Sequence, residues 1–137
     1  ICVTFCVIGA FRDLFAPEKE MEEQTWEAQR LVLLDDGGKP VREWDMQGKT
    51  SLLIGKKGYG EEPDVDLSEC EYSTFIDFQH AVLNFSMDQW FVEDLESRNG
   101  VKVKKAQDGE AYRIIHRPCK VSPGDVIYIA GTRLLLT

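Results

Sequence analysis

Metal-binding and redox chemistry have little to work with in this chain. Its 137 residues include only two histidines and four cysteines, and Cys2, Cys6, Cys70 and Cys119 form no CxxC pair. That removes the ligand spacing of a zinc site and of a thioredoxin-like motif, so no metal or cofactor is expected and the cysteines are read as ordinary reduced thiols. A GxSxG elbow and a phosphate-cradling glycine loop are also missing. The one grouping that imitates a hydrolase triad, Ser97 and His80 with Asp77 or Asp94, therefore has no supporting context, and the chain is not read as an enzyme. No internal repeat or low-complexity tract is present.

Charge of one sign is missing too. Residues 61 to 97 hold eleven acids and no lysine or arginine, whereas residues 98 to 120 hold seven bases against two acids, within a net charge of −8. The acidic total argues against general nucleic-acid binding, while the second segment offers a local positive surplus to an anionic ligand. Long apolar runs are scarce. Ile1 to Phe11 carries no charge, which is shorter than the roughly 20 residues needed to span a bilayer. The chain opens without a methionine, and the run is read as the end of a transmembrane helix, with an extra packed helix or strand as the alternative. The expected consequence is a tether to the cytoplasmic face of a membrane.

What the chain does have is a β pattern. After Pro17, residues 18 to 30 are rich in Glu and Gln and are read as a helical spacer, so that 1–29 forms an N-terminal extension. From residue 30 to 137 the pattern changes to short β-rich runs divided by turns: Leu31–Leu34, Val41–Met46, Ser51–Ile54, Phe75–Ser86, Gln89–Leu95, Val101–Lys105, Ala111–His116 and Val126–Ile129. Repeated short strands at this spacing predict an all-β sandwich, and the length suits one such domain with a single core. Trp26, Trp44 and Trp90 are read as packing residues.

Residues 94–100 read Asp-Leu-Glu-Ser-Arg-Asn-Gly between two strand-like runs. Taken locally this is a hairpin turn, with Ser97, Asn99 and Gly100 as turn formers that accept unusual backbone angles. Three further segments stand in an informative order: Ser51-Leu52-Leu53-Ile54-Gly55-Lys56 with Pro63-Asp64-Val65-Asp66-Leu67 after it; His80 heading the run Ala81-Val82-Leu83; and Ser122-Pro123-Gly124-Asp125 leading into Val126–Gly131 and a last strand from Thr132 to Thr137. Together these resemble a divergent forkhead-associated (FHA) domain over residues 30 to 137. The resemblance implies a β-sandwich of two twisted, mainly antiparallel sheets that catalyses nothing and binds phosphothreonine peptides through loops at one end.

The resemblance also implies roles. Lys56 stands where the family has a phosphate-binding arginine, Asp77 where it has a serine three places before His80, Arg98 before the loop asparagine, and Asn99 as that asparagine, which fixes the peptide backbone. Gly55, His80, Ser97 and Gly100 match residues that shape the loops. Lysine keeps the charge of arginine but loses its rigid fork. Asp77 is the more serious departure: at ~4 Å and an effective dielectric near 20, two unit charges repel by about 4 kcal/mol, against roughly 1.5–3 kcal/mol from one charge-assisted hydrogen bond. A shift in the loop Glu69–Asp77 would bring Ser73 or Thr74 into the serine's place while Asp77 turns away to cap a turn or pair with Arg98. The expected function is a non-catalytic interaction module with a degenerate phosphate site, its partner a protein or phosphothreonine peptide made by a Ser/Thr kinase. The alternative is a scaffold that binds protein without phosphate.

Overall fold

The computed structural model describes residues 28–58, 60–115 and 117–137. The expected transmembrane end at Ile1–Phe11, the helical spacer and Trp26 lie outside the described residues, as does His116. Among the described residues no helix is long and apolar enough to cross a membrane.

Two sheets make up the body. Strands β1 (Arg30–Leu34), β2 (Pro40–Asp45), β7 (Val101–Lys104), β8 (Ala111–Arg113), β10 (Val126–Ile129) and β11 (Thr132–Leu136) form one, in the order β2-β1-β11-β10-β7-β8. Strands β3 (Ser51–Gly55), β4 (Val65–Asp66), β5 (Gln79–Ser86), β6 (Gln89–Asp94) and β9 (Cys119–Val121) form the other, in the order β9-β6-β5-β3-β4. Every pairing is antiparallel except β3 with β4. The fold expected from the β pattern is therefore the one observed.

Alternating side chains explain which faces meet. In β7, Val101 and Val103 are buried while Lys102 and Lys104 are exposed, and in β11 Thr132, Leu134 and Leu136 are buried. Val101, Val103, Leu134 and Leu136 face Leu52, Ile54, Leu83, Trp90 and Val92 of the opposite sheet across one continuous core. This is the period-2 signature of a half-buried strand. Ala28 is also buried in that core, and Gln29 N–H donates to Thr137 O at 2.8 Å, so the packed body reaches ahead of the first strand.

Two local expectations are corrected and one strand is added. The run from Phe75 does not start as strand: Ser73–Phe75 is a 3-10 helix and extended pairing begins at Gln79. Ala111–His116 shortens to Ala111–Arg113. Cys119–Val121, part of a basic stretch with no β alternation of its own, becomes an edge strand because its backbone pairs with Trp90–Val92. At the β5–β6 hairpin, Met87 and Asp88 both take positive φ (53° and 63°). That is the geometry of a tight two-residue turn whose twist matches its strands, and it leaves Met87 83% exposed.

Candidate functional site

Three chain segments converge at one end of the sandwich: the end of β3 with Lys56, the turn Ser73–Phe78 leading into β5, and the loop Leu95–Gly100 between β6 and β7. The hinge between the last two is His80. It is fully buried, and its Nδ1 accepts the Asp77 backbone N–H at 3.1 Å. That nitrogen therefore carries no proton, and Nε2–H donates to Gly100 O at 2.9 Å. The His80 carbonyl accepts the Leu95 N–H at 3.0 Å. One imidazole and its own backbone thus tie both loops together, and a buried histidine with both ring nitrogens satisfied is a structural residue.

The 95–100 loop is folded by its own polar side chains. Asp94 Oδ1 accepts the Ser97 N–H at 3.0 Å, and Ser97 Oγ accepts the Gly100 N–H at 2.9 Å. Glu96 and Gly100 take positive φ, 59° and 77°, so the loop reverses within a few residues. Asn99 Nδ2 donates to Phe75 O at 2.7 Å, which fastens the loop to the 3-10 helix.

Asp77 does not stand as an unopposed charge. Its Oδ2 accepts the Arg98 backbone N–H at 3.0 Å and its Oδ1 accepts Arg98 Nε at 2.8 Å. Partial burial alone would raise this carboxyl, but the hydrogen bonds from the Arg98 side chain and backbone, with the Arg98 charge, hold it below its ordinary value. The pairing leaves the Arg98 side chain 69% exposed and that of Asp77 22% exposed. Lys56 lies against the same turn. Its Nζ donates to Ser73 O at 2.8 Å and sits 5.3 Å from the centre of the Phe78 ring, a cation–π distance.

Gly55 and Gly58 exist to let this turn approach. A Cβ at Gly55 would meet Phe78 O at 2.0 Å, and one at Gly58 would meet the Phe78 ring at 2.1 Å. Phe78 itself is 37% exposed and Phe75 54% exposed, so two aromatic rings flank the polar groups. Thr74 is exposed and Ser73 half-buried.

The structure thus brings Lys56, Ser73, Asp77, Arg98 and Asn99 into one bonded group, with Thr74 in the same turn, and joins His80, Ser97, Gly55 and Gly100 to their support. It does not gather the basic segment there. Lys102 and Lys104 point outward from β7, and Lys105 is held by Asp125 at 3.3 Å. Arg113 is the base that the sequence reading missed: its guanidinium lies 2.9 Å from where a Gly100 Cβ would be. The cause is the pairing of Arg113 with Lys102 across β7 and β8, a register that no local sequence signal specifies. The Ser97–His80–acid grouping is likewise spent on folding, since Ser97 Oγ accepts from Gly100 N–H and both His80 nitrogens serve the loops. Among the described residues, no cluster of histidine, cysteine and acids would hold a metal ion.

A sandwich whose loops at one end form a rim with two cations, one acid, an asparagine and hydroxyl groups is the architecture of a recognition module. The FHA domain family model matches residues 52–130, more than half of the chain, and the chain belongs to the forkhead-associated family. Solved structures agree on the fold. The FHA domain of the CT664 protein from Chlamydia trachomatis is 25% identical over 80% of this chain and 96% of its own, with a TM-score of 0.62. A forkhead-associated domain solved in work on phosphothreonine-dependent FHA domain interactions is 20% identical over 80% of this chain and 94% of its own, with a TM-score of 0.56. Mycobacterium tuberculosis EmbR, in complex with a low-affinity phosphopeptide, is 24% identical over 80% of this chain and 24% of its own, with a TM-score of 0.56. No curated protein sequence matches the chain.

Proposed function

We propose that this domain binds phosphothreonine peptides of a partner protein, through a phosphate site weakened by Asp77. One observation carries the reading: Asp77 is bonded to Arg98 N–H and Nε, so Arg98 offsets the acid and an incoming dianion meets the net positive charge that Lys56 leaves. Lys56 and the terminal nitrogens of exposed Arg98 supply the charge-assisted donors, and the hydroxyls of Ser73 and Thr74 stand in for the family's serine. Asn99 orients the peptide backbone from the neighbouring loop. A partner phosphorylated by a Ser/Thr kinase fits this chemistry, and the phosphothreonine and phosphopeptide work on similar domains points the same way.

A second reading has its own support. Arg98 Nε and N–H are both engaged by Asp77, and Phe75 and Phe78 offer exposed apolar surface beside them. These features suit a protein partner bound without phosphate. A titration with matched peptide libraries, phosphothreonine and unphosphorylated, separates the two readings. Phosphate-dependent binding is expected, weakened by Lys56→Ala and strengthened about threefold to tenfold by Asp77→Ser, which exchanges a carboxylate for a hydroxyl donor. Equal binding of both libraries, unmoved by Asp77→Ser, would establish the scaffold reading instead.

A further inference from the structure

A cleft of about 360 Å³ opens where the end of β1, the start of β2, the β4 edge, the loop Glu69–Tyr72 and the β10–β11 turn come together. Lys56 is not among the residues that line it. Five carboxylates and a single guanidinium, that of Arg42, line it. Three of the carboxylates have work within the fold. Asp35 caps the β1–β2 turn through the Gly37 and Lys39 N–H groups, Asp36 accepts the Tyr72 hydroxyl at 3.2 Å, and Asp66 accepts from Ser68. Glu69 and Glu71 form no ion pair among the described residues, and both are exposed. The field is felt locally: the hydrogen bond to Asp36 first, then the charges of Asp36 and Glu71, raise the Tyr72 phenol.

A second observation is independent of charge. Thr132 lines the same cleft with 4% of its surface exposed, and its Oγ1 has no hydrogen-bond partner among the described residues. Buried hydroxyls without partners are exceptional in native proteins because the lost hydration is not replaced. Here the orphan belongs to a residue of an acidic, partly apolar hollow whose lining includes Leu33 and Leu34. The Tyr72 ring packs 3.0 Å from where a Cβ of Gly131, the residue before Thr132, would be.

We propose that this cleft is a second binding site, which takes an arginine side chain presented by a basic segment of a partner protein. The apolar lining suits the methylene stem, Glu69 and Glu71 suit a planar fork with several N–H donors, and one further donor reaches Thr132 Oγ1. Lysine offers a single point charge on a flexible stem and fits less well. The site shares no lining residue with the rim built on Lys56, Asp77, Arg98 and Asn99 and does not rest on the function proposed above.

The test is fluorescence polarisation of a short labelled glycine–serine peptide that carries arginine and no phosphate, titrated with the 137-residue chain. The arginine peptide should bind, and its citrulline counterpart, same shape without the charge, roughly tenfold more weakly. Glu69→Gln with Glu71→Gln should weaken binding to a similar extent, and Thr132→Val several-fold, while Thr132→Ser retains it. Glu96→Gln with Glu110→Gln removes the same charge away from the cleft and should leave affinity within about twofold. Thr132→Val should lose no stability in urea, since it deletes an unpartnered hydroxyl, so its loss of binding cannot come from unfolding. Equal binding of arginine and citrulline peptides, equal losses from the remote pair, or unchanged affinity in Thr132→Val would each overturn the proposal.

Discussion

Asp77 shows how little a residue's identity says about its charge environment until its neighbours are known. As a sequence position it is an acid where a hydroxyl is expected. In the fold it accepts two hydrogen bonds from one residue, Arg98, and its carboxyl is depressed as a result. A depressed carboxyl stabilises the folded state fully at pH above its ordinary value of 3.8, and that contribution is lost as pH falls through the lower folded value. Asp77→Asn should therefore lower stability at neutral pH by no more than about 1 kcal/mol, because Arg98 is exposed and screened. The gap from the parent should close below pH 3.8 in urea titrations. His80 is the opposite kind of residue, fully buried with both ring nitrogens bonded. His80→Ala should cost roughly 2–4 kcal/mol, the sum of a cavity and two stranded polar groups, and should remove ligand binding along with the loop order it maintains.

Among the elements, the turn from Ser73 to Phe78 does most to set the rim, and it is held by close approach rather than by pattern. Gly55, at the end of the β3 strand, has the Phe78 carbonyl where a Cβ would go. Gly55→Ala must move backbone, and a loss of roughly 1–3 kcal/mol or more is expected in denaturant unfolding. The same change should also shift the amide signals of Lys56 and Asp77 in an NMR spectrum. Gly100→Ala is a different case: the positive φ of 77° makes it strained, at a cost of about 1–2 kcal/mol, but the nearby atoms belong to the flexible Arg113 side chain. Comparing the two variants separates steric closure from backbone strain. The sequence foretold that glycine stands at each turn, but not that one serves a neighbour's carbonyl and the other its own backbone angle.

For the molecule as a whole, stability rests on the single core between the sheets, with Trp90 the largest side chain in it. Trp90 Nε1 has no partner among the described residues, so Trp90→Phe removes an unsatisfied donor together with part of a ring. The two effects oppose each other, and the net loss should stay under about 1.5 kcal/mol, far less than the roughly 2–5 kcal/mol expected for Ile127→Ala. The net charge of −8 acts on the whole surface as well. It repels anionic peptides at a distance, against the local attraction proposed for the rim, and it favours arginine peptides over the whole surface. Added salt should therefore weaken arginine-peptide binding more than phosphopeptide binding, by stopped-flow association rates measured across ionic strengths.

Alternation of apolar and polar residues, the turn formers between them and the ordered Gly55-Lys56, His80 and Ser97–Gly100 segments determined the fold, because strand burial has a period of two and glycine and asparagine report backbone angles directly. Strand Cys119–Val121, the packing of Arg113 against Gly100 and the acidic cleft around Thr132 were decided only by tertiary structure, which also selected the Arg98–Asp77 pair from the alternatives the sequence left open. Each depends on which residues lie opposite one another across sheets and loops. That is a matter of register and long-range packing, and short-range sequence patterns carry no record of it.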